Sequence, residues 1–307
     1  MFEILLTCPP MIKQVHQFQD LFQKLNFKVT VPEFTQIMSE EELIELVPQF
    51  DGWIIGDDPA TRKVFEAGQS GKLKAAVKWG VGVDNVDFKA CADLKIPITN
   101  TPGMFGEDVS DVAIGMLLNL TRELNLVNDE TKKGGWYKPC GVGLVNKKVC
   151  LIGFGDIGKT TARKLKAFQT DIWVSDPGFK EIEEPYHLAS FEECMKDAQV
   201  VVITCSLNQH TKYLINETSL RQCQKGVIVI NVARGPIIKE DDLIKLMGEG
   251  HVGKVGLDVF EVEPLPQESK LRGFKNTFFG SHNGSNSIDS VVKTSYRASY
   301  LLEGYLR

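Results

Sequence analysis

The 307-residue chain lacks the marks of several protein classes. Its seven cysteines are widely spaced and contain no Cys-x-x-Cys pair, which argues against a zinc site and a disulfide framework. No run reaches the ~20 apolar residues that a membrane-spanning helix needs. The formal net charge of −5 comes without a basic cluster, so a dedicated nucleic-acid binder is not expected. We therefore expect no metal, no membrane and no nucleic acid as a partner.

The first residues also lack the pattern of a secretory signal peptide. No basic region precedes the apolar residues, Glu3 interrupts them, and prolines at positions 9 and 10 end them. A cytoplasmic location is expected on this ground. Cys150 and Cys205 lie in apolar, strand-like runs, where cysteine usually behaves as a small buried hydrophobic residue. That interpretation is preferred to a catalytic one.

Strand-like apolar runs alternate with helix-like segments along the chain. Repeated alternation predicts parallel strands that are joined by crossover helices. The predicted strands form two groups, at residues 2–7, 27–31, 53–56 and 75–79, and at residues 149–153, 171–175, 200–204, 227–231 and 255–257. A further strand-like run covers residues 276–280.

Helical spacing of apolar residues separates and follows these strands. The turn signal Asn-Thr-Pro-Gly at residues 100–103 precedes the longest helical segment. A capping box at Ser39 and Glu42 predicts the start of another helix. The predicted helices cover residues 12–25, 43–47, about 106–132, 159–168 and 289–305.

A Gly-Phe-Gly-Asp-Ile-Gly segment stands directly after a predicted strand and before a predicted helix. In this arrangement Gly153 permits a tight turn, Gly155 lets a pyrophosphate approach the backbone, and Gly158 lets helix and strand pack closely. The helix N-terminus adds N–H groups and the positive end of a dipole. The segment, with Asp156 and Ile157 included, is predicted to bind a dinucleotide.

Asp176 follows the next predicted strand, 23 residues after Gly153. An acidic side chain there can accept hydrogen bonds from both adenosine ribose hydroxyls, and it would repel a 2′-phosphate. Because Pro-Gly and no arginine comes next, NAD is predicted over NADP. A solvated turn residue is the alternative interpretation of Asp176. S-adenosylmethionine is the alternative ligand, although its sites need no pyrophosphate cradle.

Three charged residues are candidates for chemistry. His282 follows a strand-like run, and residues after the carboxyl ends of parallel strands face the ligand crevice of a doubly wound sheet. An imidazole suits the proton transfer that accompanies hydride loss from an alcohol or hydride addition to a ketone. Glu263 could orient the imidazole, and Arg234 could clamp a carboxylate through two hydrogen bonds. From spacing alone, each could equally be a surface charge.

These residues resemble the signature of a known family, the D-isomer-specific 2-hydroxyacid dehydrogenases. The family includes D-3-phosphoglycerate dehydrogenase, D-lactate dehydrogenase and glyoxylate/hydroxypyruvate reductase. The resemblance covers nearly the whole chain. It rests on segments whose order and spacing agree, namely residues 80–87, 100–103, 153–158, 231–235, 256–264 and 281–284.

The resemblance implies an α/β fold with two doubly wound parallel-sheet domains, in which a Rossmann cofactor domain is inserted into a flavodoxin-like substrate domain. The expected boundaries are 1–99 with 286–307 for the substrate-binding domain and 100–285 for the NAD-binding domain. The family also implies a homodimer that forms through the helix after Gly103, and NAD as the cofactor.

Residue roles follow from the same resemblance. Arg234 would bind the carboxylate and oxo oxygen of a small 2-oxo acid, His282 would act as acid and base, and Glu263 would orient it. Backbone N–H groups near Val81 and Gly82 would hold the carboxylate. Asp258 would meet the nicotinamide amide. The further cofactor contacts are Ser206, Ala233 and Gly284.

Two segments bear on the substrate. Residues 80–87 are of the phosphoglycerate-dehydrogenase type and favour 3-phosphoglycerate and 3-phosphohydroxypyruvate. Asp57 and Asp58, however, stand where those enzymes resemble Arg-Ser-x-Thr, and they would repel a phosphate unless Arg62 or Lys63 turned inward. Glyoxylate, hydroxypyruvate or D-lactate chemistry is therefore an alternative. A non-enzymatic NAD-responsive binding protein is another, against which the intact catalytic candidates argue.

Overall fold

The structure is a computed structural model that describes residues 1–33 and 37–307. The chain divides into two compact units, a first unit of Met1–Phe105 with Asn286–Arg307 and a second unit of Gly106–Ser285. The chain thus passes from the first unit to the second after Phe105, a few residues later than the predicted boundary between residues 99 and 100. The reason is that Phe105 packs on Trp79 of the first unit, with 5.2 Å between ring centroids. Which unit binds which molecule stays a prediction.

Every paired strand in the described ranges runs parallel to its neighbours. The strands are β1 (Phe2–Leu6), β2 (Phe27–Thr30), β3 (Gly52–Ile55), β4 (Ala75–Lys78), β5 (Ile98–Asn100), β6 (Lys148–Ile152), β7 (Asp171–Ser175), β8 (His187–Leu188), β9 (Val200–Ile203), β10 (Val227–Asn231), β11 (Val252–Leu257) and β12 (Thr277–Phe279). The predicted strands are confirmed. β5 and β8 were not predicted, because two or three residues are too few to show a period.

The α-helices alternate with these strands. They are α1 (Pro9–Lys13), α2 (Gln19–Leu25), α3 (Glu40–Leu46), α4 (Arg62–Ser70), α5 (Phe88–Leu94), α6 (Gly106–Arg122), α7 (Leu124–Lys132), α8 (Asp156–Ala167), α9 (Phe191–Met195), α10 (Glu217–Leu220), α11 (Glu240–Gly248) and α12 (Ile288–Leu306). None of the helices in the described ranges combines the length and the apolar character that a membrane crossing requires.

The first unit contains a five-stranded sheet with the order β2-β1-β3-β4-β5. This is the flavodoxin-like order. All residues of β3 and β4 are buried, as expected for central parallel strands that are covered on both faces. The last helix of the chain completes this unit, since the Trp79 indole donates a hydrogen bond to Ser295 Oγ of α12 at 3.2 Å.

The second unit contains a seven-stranded sheet with the order β12-β11-β10-β9-β6-β7-β8. Six of these strands follow the Rossmann order, with β12 added beside β11. The order reverses between β6 and β9, and such a switch point is where doubly wound sheets bind ligands. The predicted fold class, with a Rossmann unit inserted into a flavodoxin-like unit, is confirmed.

Two predicted helices are interrupted. The helix predicted over residues 12–25 is divided between α1 and α2, with a 3-10 turn at Val15–Phe18, because Gln14 has non-helical angles of φ −112° and ψ 11°. The helix predicted over about 106–132 breaks at Glu123, which adopts the left-handed conformation with φ 54°. Apolar periodicity continues across a one-residue break and so does not reveal it. The capping box at Ser39 is confirmed.

The structure places two of the cysteines together. Cys150 is fully buried on β6, as expected, and its side chain is paired with that of Cys194 of α9, with 5.2 Å between the Cα atoms. The two residues are 44 positions apart in sequence, so spacing could not indicate the pair. For Cys205, burial raises the thiol pKa to about 12, which agrees with an unreactive side chain.

Candidate active site

The glycine-rich segment joins β6 to α8 at the switch point of the second sheet. Gly153 has φ +93°, a conformation that side chains disfavour. A Cβ atom on Gly158 would overlap the Gly153 carbonyl oxygen, so only glycine allows this close packing. A Cβ atom on Gly155 would meet no atom within 4 Å, so the space in front of the helix is open. The three glycines therefore fit the roles that a dinucleotide site requires.

The segment also presents the N-terminus of α8. The first backbone N–H groups of a helix, here those of Asp156 and Ile157, have no acceptor within the helix and can bind phosphate oxygens. The Asp156 carboxylate lies close to Gly106. Thr204 Oγ donates to the Gly153 carbonyl oxygen at 2.9 Å and thereby fixes the turn. The residues present thus fit a pyrophosphate.

Asp176 follows β7 and lies beside the glycine segment. Its Oδ2 accepts a hydrogen bond from the Phe154 N–H at 2.7 Å, and its Oδ1 accepts one from the Gly178 N–H at 2.8 Å. A carboxylate oxygen can accept more than one hydrogen bond, so contact with ribose hydroxyls remains open to Asp176. Its structural contribution, to hold the backbone of the glycine segment in place, was not predicted.

Arg234, Glu263 and His282 follow the carboxyl ends of β10, β11 and β12. These strands are neighbours in the sheet and run parallel. Their following loops therefore begin at one edge of the second sheet. The structure thus brings the three candidates to a common edge, which spacing alone did not establish.

His282 and Glu263 form a direct pair. The imidazole Nδ1 lies 2.8 Å from Glu263 Oε2, and Glu263 Oε1 accepts a hydrogen bond from the Phe260 N–H at 2.9 Å. His282 adopts the left-handed conformation with φ 55°, and its N–H donates to the Asp258 carbonyl at 2.7 Å. The side chains are 30 % and 34 % exposed. Glu263 therefore orients the ring and places Nε2 on the side away from the pair.

Asp258 directly follows β11 and is buried. Its two carboxylate oxygens accept hydrogen bonds from the N–H groups of Asn283 at 3.0 Å and Gly284 at 2.8 Å. A Cβ atom on Gly284 would lie 3.1 Å from Oδ2, so a larger residue would press on the carboxylate. Asp258 was predicted to meet the nicotinamide amide. The structure shows that it holds the loop of His282.

Arg234 stands in a turn that a buried asparagine organises. Asn231 donates from Nδ2 to the Arg234 carbonyl at 2.9 Å and accepts from the Ala233 N–H at 3.0 Å. The guanidinium Nη1 donates to the Ala233 carbonyl at 2.9 Å. Sequence reasoning assigned no role to Asn231. The available signal was a polar residue at the end of an otherwise apolar strand.

The loops after β10 and β11 are packed against each other. A Cβ atom on Gly235 would overlap the backbone of Phe260 and Glu261. The Glu240 and Glu261 carboxylates each accept a hydrogen bond from the other residue's N–H at 2.6 Å. Burial raises the pKa of Glu240, the hydrogen bond from the Glu261 N–H opposes this shift, and the charge of the Glu261 carboxylate adds to it. Glu240 belongs to no motif, so sequence reasoning missed it.

The remaining predicted contacts lie in other loops. Ser206 is exposed after β9, and its carbonyl accepts from the Thr211 hydroxyl at 2.7 Å. Val81 and Gly82 belong to the first unit, in the loop after β4, where the Val81 carbonyl accepts from Asn100 Nδ2 at 3.1 Å. Within the described ranges, no cluster of three or more His, Cys, Asp or Glu side chains could hold a metal ion.

Comparison with known proteins identifies the family. Residues 114–284 match the NAD binding domain of the D-isomer specific 2-hydroxyacid dehydrogenases. Hydroxypyruvate reductase of Thermotoga maritima is 30 % identical over 286 residues, which cover 92 % of this chain and 91 % of that protein. Glyoxylate reductase of Thermofilum pendens is 30 % identical over 280 residues, covering 88 % and 82 %.

A solved structure agrees with the sequence relatives. The TT0316 protein from Thermus thermophilus superposes with a TM-score of 0.87 at 26 % identity, covering 99 % of this chain and 96 % of that one. The predicted family, enzyme class and NAD cofactor are confirmed by these matches. The chain therefore belongs to the D-isomer-specific 2-hydroxyacid dehydrogenases, a family of NAD-dependent enzymes.

Proposed function

We propose that this enzyme reduces a small, unphosphorylated 2-oxo acid, hydroxypyruvate or glyoxylate, with His282, Glu263 and Arg234 as its catalytic residues. The observation that carries the catalytic assignment is the contact of 2.8 Å between His282 Nδ1 and Glu263 Oε2 at the carboxyl edge of the second sheet. A carboxylate-oriented imidazole is the group that proton transfer to a ketone oxygen needs.

Each residue has a separate task in the reaction. When bound, NADH supplies the hydride. His282 donates a proton from Nε2 to the oxo oxygen, while Glu263 at Nδ1 stabilises the imidazolium before that transfer. In the reverse direction His282 accepts the hydroxyl proton. Arg234 binds the substrate carboxylate with its guanidinium and polarises the oxo group.

The cofactor contacts follow from the second unit. The N–H groups of Asp156 and Ile157 would bind the pyrophosphate, and Asp176 would bind the ribose hydroxyls and disfavour NADP. Further proposed contacts of the cofactor are Ser206, Ala233, Asp258 and Gly284. Val81 and Gly82 are proposed to bind the substrate carboxylate through their backbone N–H groups.

The absence of a phosphate on the substrate is supported by ion pairs in the first unit. Arg62 Nη2 lies 2.5 Å from Asp93, and Lys63 Nζ lies 3.2 Å from Glu40. These are the two cations that would have to turn inward to hold a phosphate. Both are instead engaged by neighbouring carboxylates.

A third cation of the first unit is also engaged. Lys78 is only 2 % exposed, and its ammonium group lies 3.0 Å from Asp57 Oδ1. Asp58, the residue that follows Asp57, is fully buried. This charge distribution favours hydroxypyruvate or glyoxylate, which are also named in the relatives described above. The relatives do not confirm the 3-phosphoglycerate preference inferred from residues 80–87.

A substrate screen tests this proposal. NADH oxidation would be followed with hydroxypyruvate, glyoxylate, pyruvate and 3-phosphohydroxypyruvate at equal ionic strength. We expect kcat/KM for hydroxypyruvate or glyoxylate to exceed that for 3-phosphohydroxypyruvate by roughly tenfold or more, since an unpaired phosphate near two aspartates is unfavourable. A highest kcat/KM with 3-phosphohydroxypyruvate would contradict the proposal.

We also propose a homodimer that forms through α6, α7 and the following segment. Exposed apolar side chains cluster in this part of the sequence, namely Leu124, Trp136, Tyr137, Val142 and Val145. Sedimentation analysis of the wild type and of Trp136→Ser tests this assembly. A monomeric wild type would contradict it. The cytoplasmic location stays a prediction from the sequence.

A further inference from the structure

Asp57 lies in the loop after β3, next to the loop after β4 that is proposed to bind the substrate carboxylate. β3 and β4 are parallel neighbours in the first sheet, so both loops begin at its carboxyl edge. Asn85, in the loop after β4, donates hydrogen bonds to the Gly56 and Asp58 carbonyls at 3.1 and 2.7 Å. The residues on both sides of Asp57 are therefore tied to the neighbouring loop.

Lys78 connects the Asp57 side chain with the same loop. It ends β4, its side chain is 2 % exposed, and its Nζ lies 3.0 Å from Asp57 Oδ1. The ammonium group also donates to the Gly56 carbonyl. A Cβ atom on Gly80 would lie 3.7 Å from Nζ, so this group is next to the start of the segment of residues 80–82. The Asp57 carboxylate and the segment therefore lie beside one buried cation.

The pair with Lys78 determines which ligand groups Asp57 can bind. The Asp57 side chain is 47 % exposed, so a ligand can reach its carboxylate. A carboxylate accepts hydrogen bonds, and a hydroxyl group can donate one. A phosphate or a second carboxylate would be disfavoured, because Asp57 neutralises the charge of Lys78 and adds a repulsion of its own. The arrangement thus favours an uncharged hydroxyl group over an anionic one.

We infer that Asp57 accepts a hydrogen bond from a hydroxyl group on carbon 3 of the substrate, and that the enzyme therefore prefers hydroxypyruvate to glyoxylate and pyruvate. This inference rests on the proposed function, in which Val81 and Gly82 bind the substrate carboxylate. The hydroxyl group of hydroxypyruvate is only a few covalent bonds from its carboxylate, so the two groups can contact adjacent loops. Lys78 holds the acceptor in position. Asp57 determines specificity and takes no part in proton transfer.

The wild-type enzyme provides the first test. Hydroxypyruvate and pyruvate differ only in the hydroxyl group on carbon 3, so the ratio of their kcat/KM values in NADH oxidation measures how well that group is recognised. We expect hydroxypyruvate to be favoured by about tenfold or more, because a hydrogen bond to a charged acceptor is strong and a site built for a hydroxyl group disfavours the analogue that lacks it.

Asp57→Asn tests the carboxylate with little change in shape. A neutral oxygen is the weaker acceptor, so kcat/KM for hydroxypyruvate should fall severalfold. The values for glyoxylate and pyruvate, which lack this hydroxyl group, should remain as in the wild type. The value for 3-phosphohydroxypyruvate should rise severalfold, because the charge of Lys78 is no longer neutralised. A purely structural role of Asp57 would lower all four values together.

Two further variants complete the series. Asp57→Ala removes the acceptor, so kcat/KM for hydroxypyruvate should approach the value for pyruvate. Asp93→Asn is the matched control, because Asp93 of α5 is 44 % exposed and lies 2.9 Å from the Nζ of a lysine, Lys89. Its ratio of the kcat/KM values for hydroxypyruvate and pyruvate should equal that of the wild type.

Two results would overturn the inference and leave the proposed function intact. One is a wild type with equal kcat/KM for hydroxypyruvate and pyruvate, and the other is an Asp57→Asn enzyme whose hydroxypyruvate value is unchanged or falls in parallel with those for glyoxylate and pyruvate. A wild type that reduces neither hydroxypyruvate nor glyoxylate would contradict the proposed function, and the inference with it. If both Asp57 variants fail to fold, Lys78→Met decides. Its ratio of hydroxypyruvate to pyruvate must be lower than in the wild type, because the acceptor is no longer held.

Discussion

At the carboxyl edge of the second sheet, three carboxylates accept hydrogen bonds from backbone N–H groups, whereas at the carboxyl edge of the first sheet a lysine and an asparagine donate to backbone carbonyls. Asp176, Asp258 and Glu263 are the acceptors in the second unit. In the first unit, Lys78 donates to the Gly56 carbonyl, and Asn85 donates to the Gly56 and Asp58 carbonyls at 3.1 and 2.7 Å.

The difference matches the ligands that we propose for the two edges. In the first unit, side-chain donors occupy carbonyls of the loop after β3. The backbone groups suited to bind an anion are then N–H groups, such as those of the neighbouring loop after β4. This favours the proposed binding of a substrate carboxylate near Val81 and Gly82. In the second unit, carboxylates fix the loops that carry the cofactor-binding and catalytic residues, so these loops are held in place before a ligand binds.

The largest expected effect comes from the catalytic pair. His282→Ala removes the group that donates the proton to the oxo oxygen, so kcat should fall by roughly a thousandfold. NADH affinity should remain as in the wild type, because His282 is proposed to act on the substrate. Steady-state kinetics and an NADH fluorescence titration measure the two quantities.

His187→Ala is the matched control for this variant. His187 also contacts a carboxylate, Asp171, at 3.2 Å, but it lies on β8 at the other end of the second sheet. Its kcat should equal that of the wild type. A His282→Ala enzyme that keeps most of its activity would show that the proposed mechanism is wrong.

Asp258→Asn tests the carboxylate acceptors at the carboxyl edge of the second sheet. In the wild type, two backbone N–H groups donate to the two carboxylate oxygens of Asp258. An asparagine amide offers one oxygen and one donor, so one buried N–H loses its acceptor. We expect a loss of about 2 kcal/mol in the free energy of unfolding. Because the loop of His282 is displaced, kcat should fall roughly 10- to 100-fold. Denaturant unfolding and kinetics provide the measurements, and unchanged kcat would contradict the positioning role.

Lys78→Met tests the side-chain donors at the carboxyl edge of the first sheet. Methionine keeps an apolar stem of similar length but cannot donate to the Gly56 carbonyl or pair with Asp57. Since the Asp57 side chain is 47 % exposed and water can solvate it, the expected loss is only ~1–2 kcal/mol. We expect KM for the oxo acid to rise severalfold, with a smaller change in kcat.

The control for Lys78→Met is an exposed lysine of the same unit. Lys89→Met breaks the pair with Asp93 at 2.9 Å, on a side chain that is 81 % exposed, and should change neither stability nor KM appreciably. A rise in KM in both variants would show that the effect reflects the charge of the protein and not the loop.

The sequence predicted most strands, the glycine segment and the three catalytic candidates, because each of these depends on local patterns. Apolar runs, a strand–glycine–helix order and charged residues after strand ends are visible within short windows. The pairing of Cys150 with Cys194 depends on how distant segments pack, and so does the contact between Glu240 and Glu261. No period or motif encodes such contacts.

The smallest expected effect concerns Glu240, whose hydrogen bonds with Glu261 join the loops after β10 and β11. Burial raises its pKa above the ordinary value of 4.5, so the folded protein holds this proton more tightly than the unfolded chain does. The stability that the protonated group contributes is complete below pH 4.5 and is lost as the pH rises through the folded pKa. Glu240→Gln cannot ionise and keeps an oxygen that can accept the Glu261 N–H.

This variant should therefore have the same Tm as the wild type in acid and a Tm that is higher by roughly 1–2 °C near neutral pH. Thermal unfolding across this pH range measures the difference. Glu268→Gln removes a charge from an exposed position in the segment after β11 and should show no such pH-dependent gain. If Glu240→Gln instead lowers Tm at neutral pH, the ionised Glu240 carboxylate stabilises the two loops. Glu240 would then join Asp176, Asp258 and Glu263 as a charged acceptor of backbone N–H groups at the carboxyl edge of the second sheet.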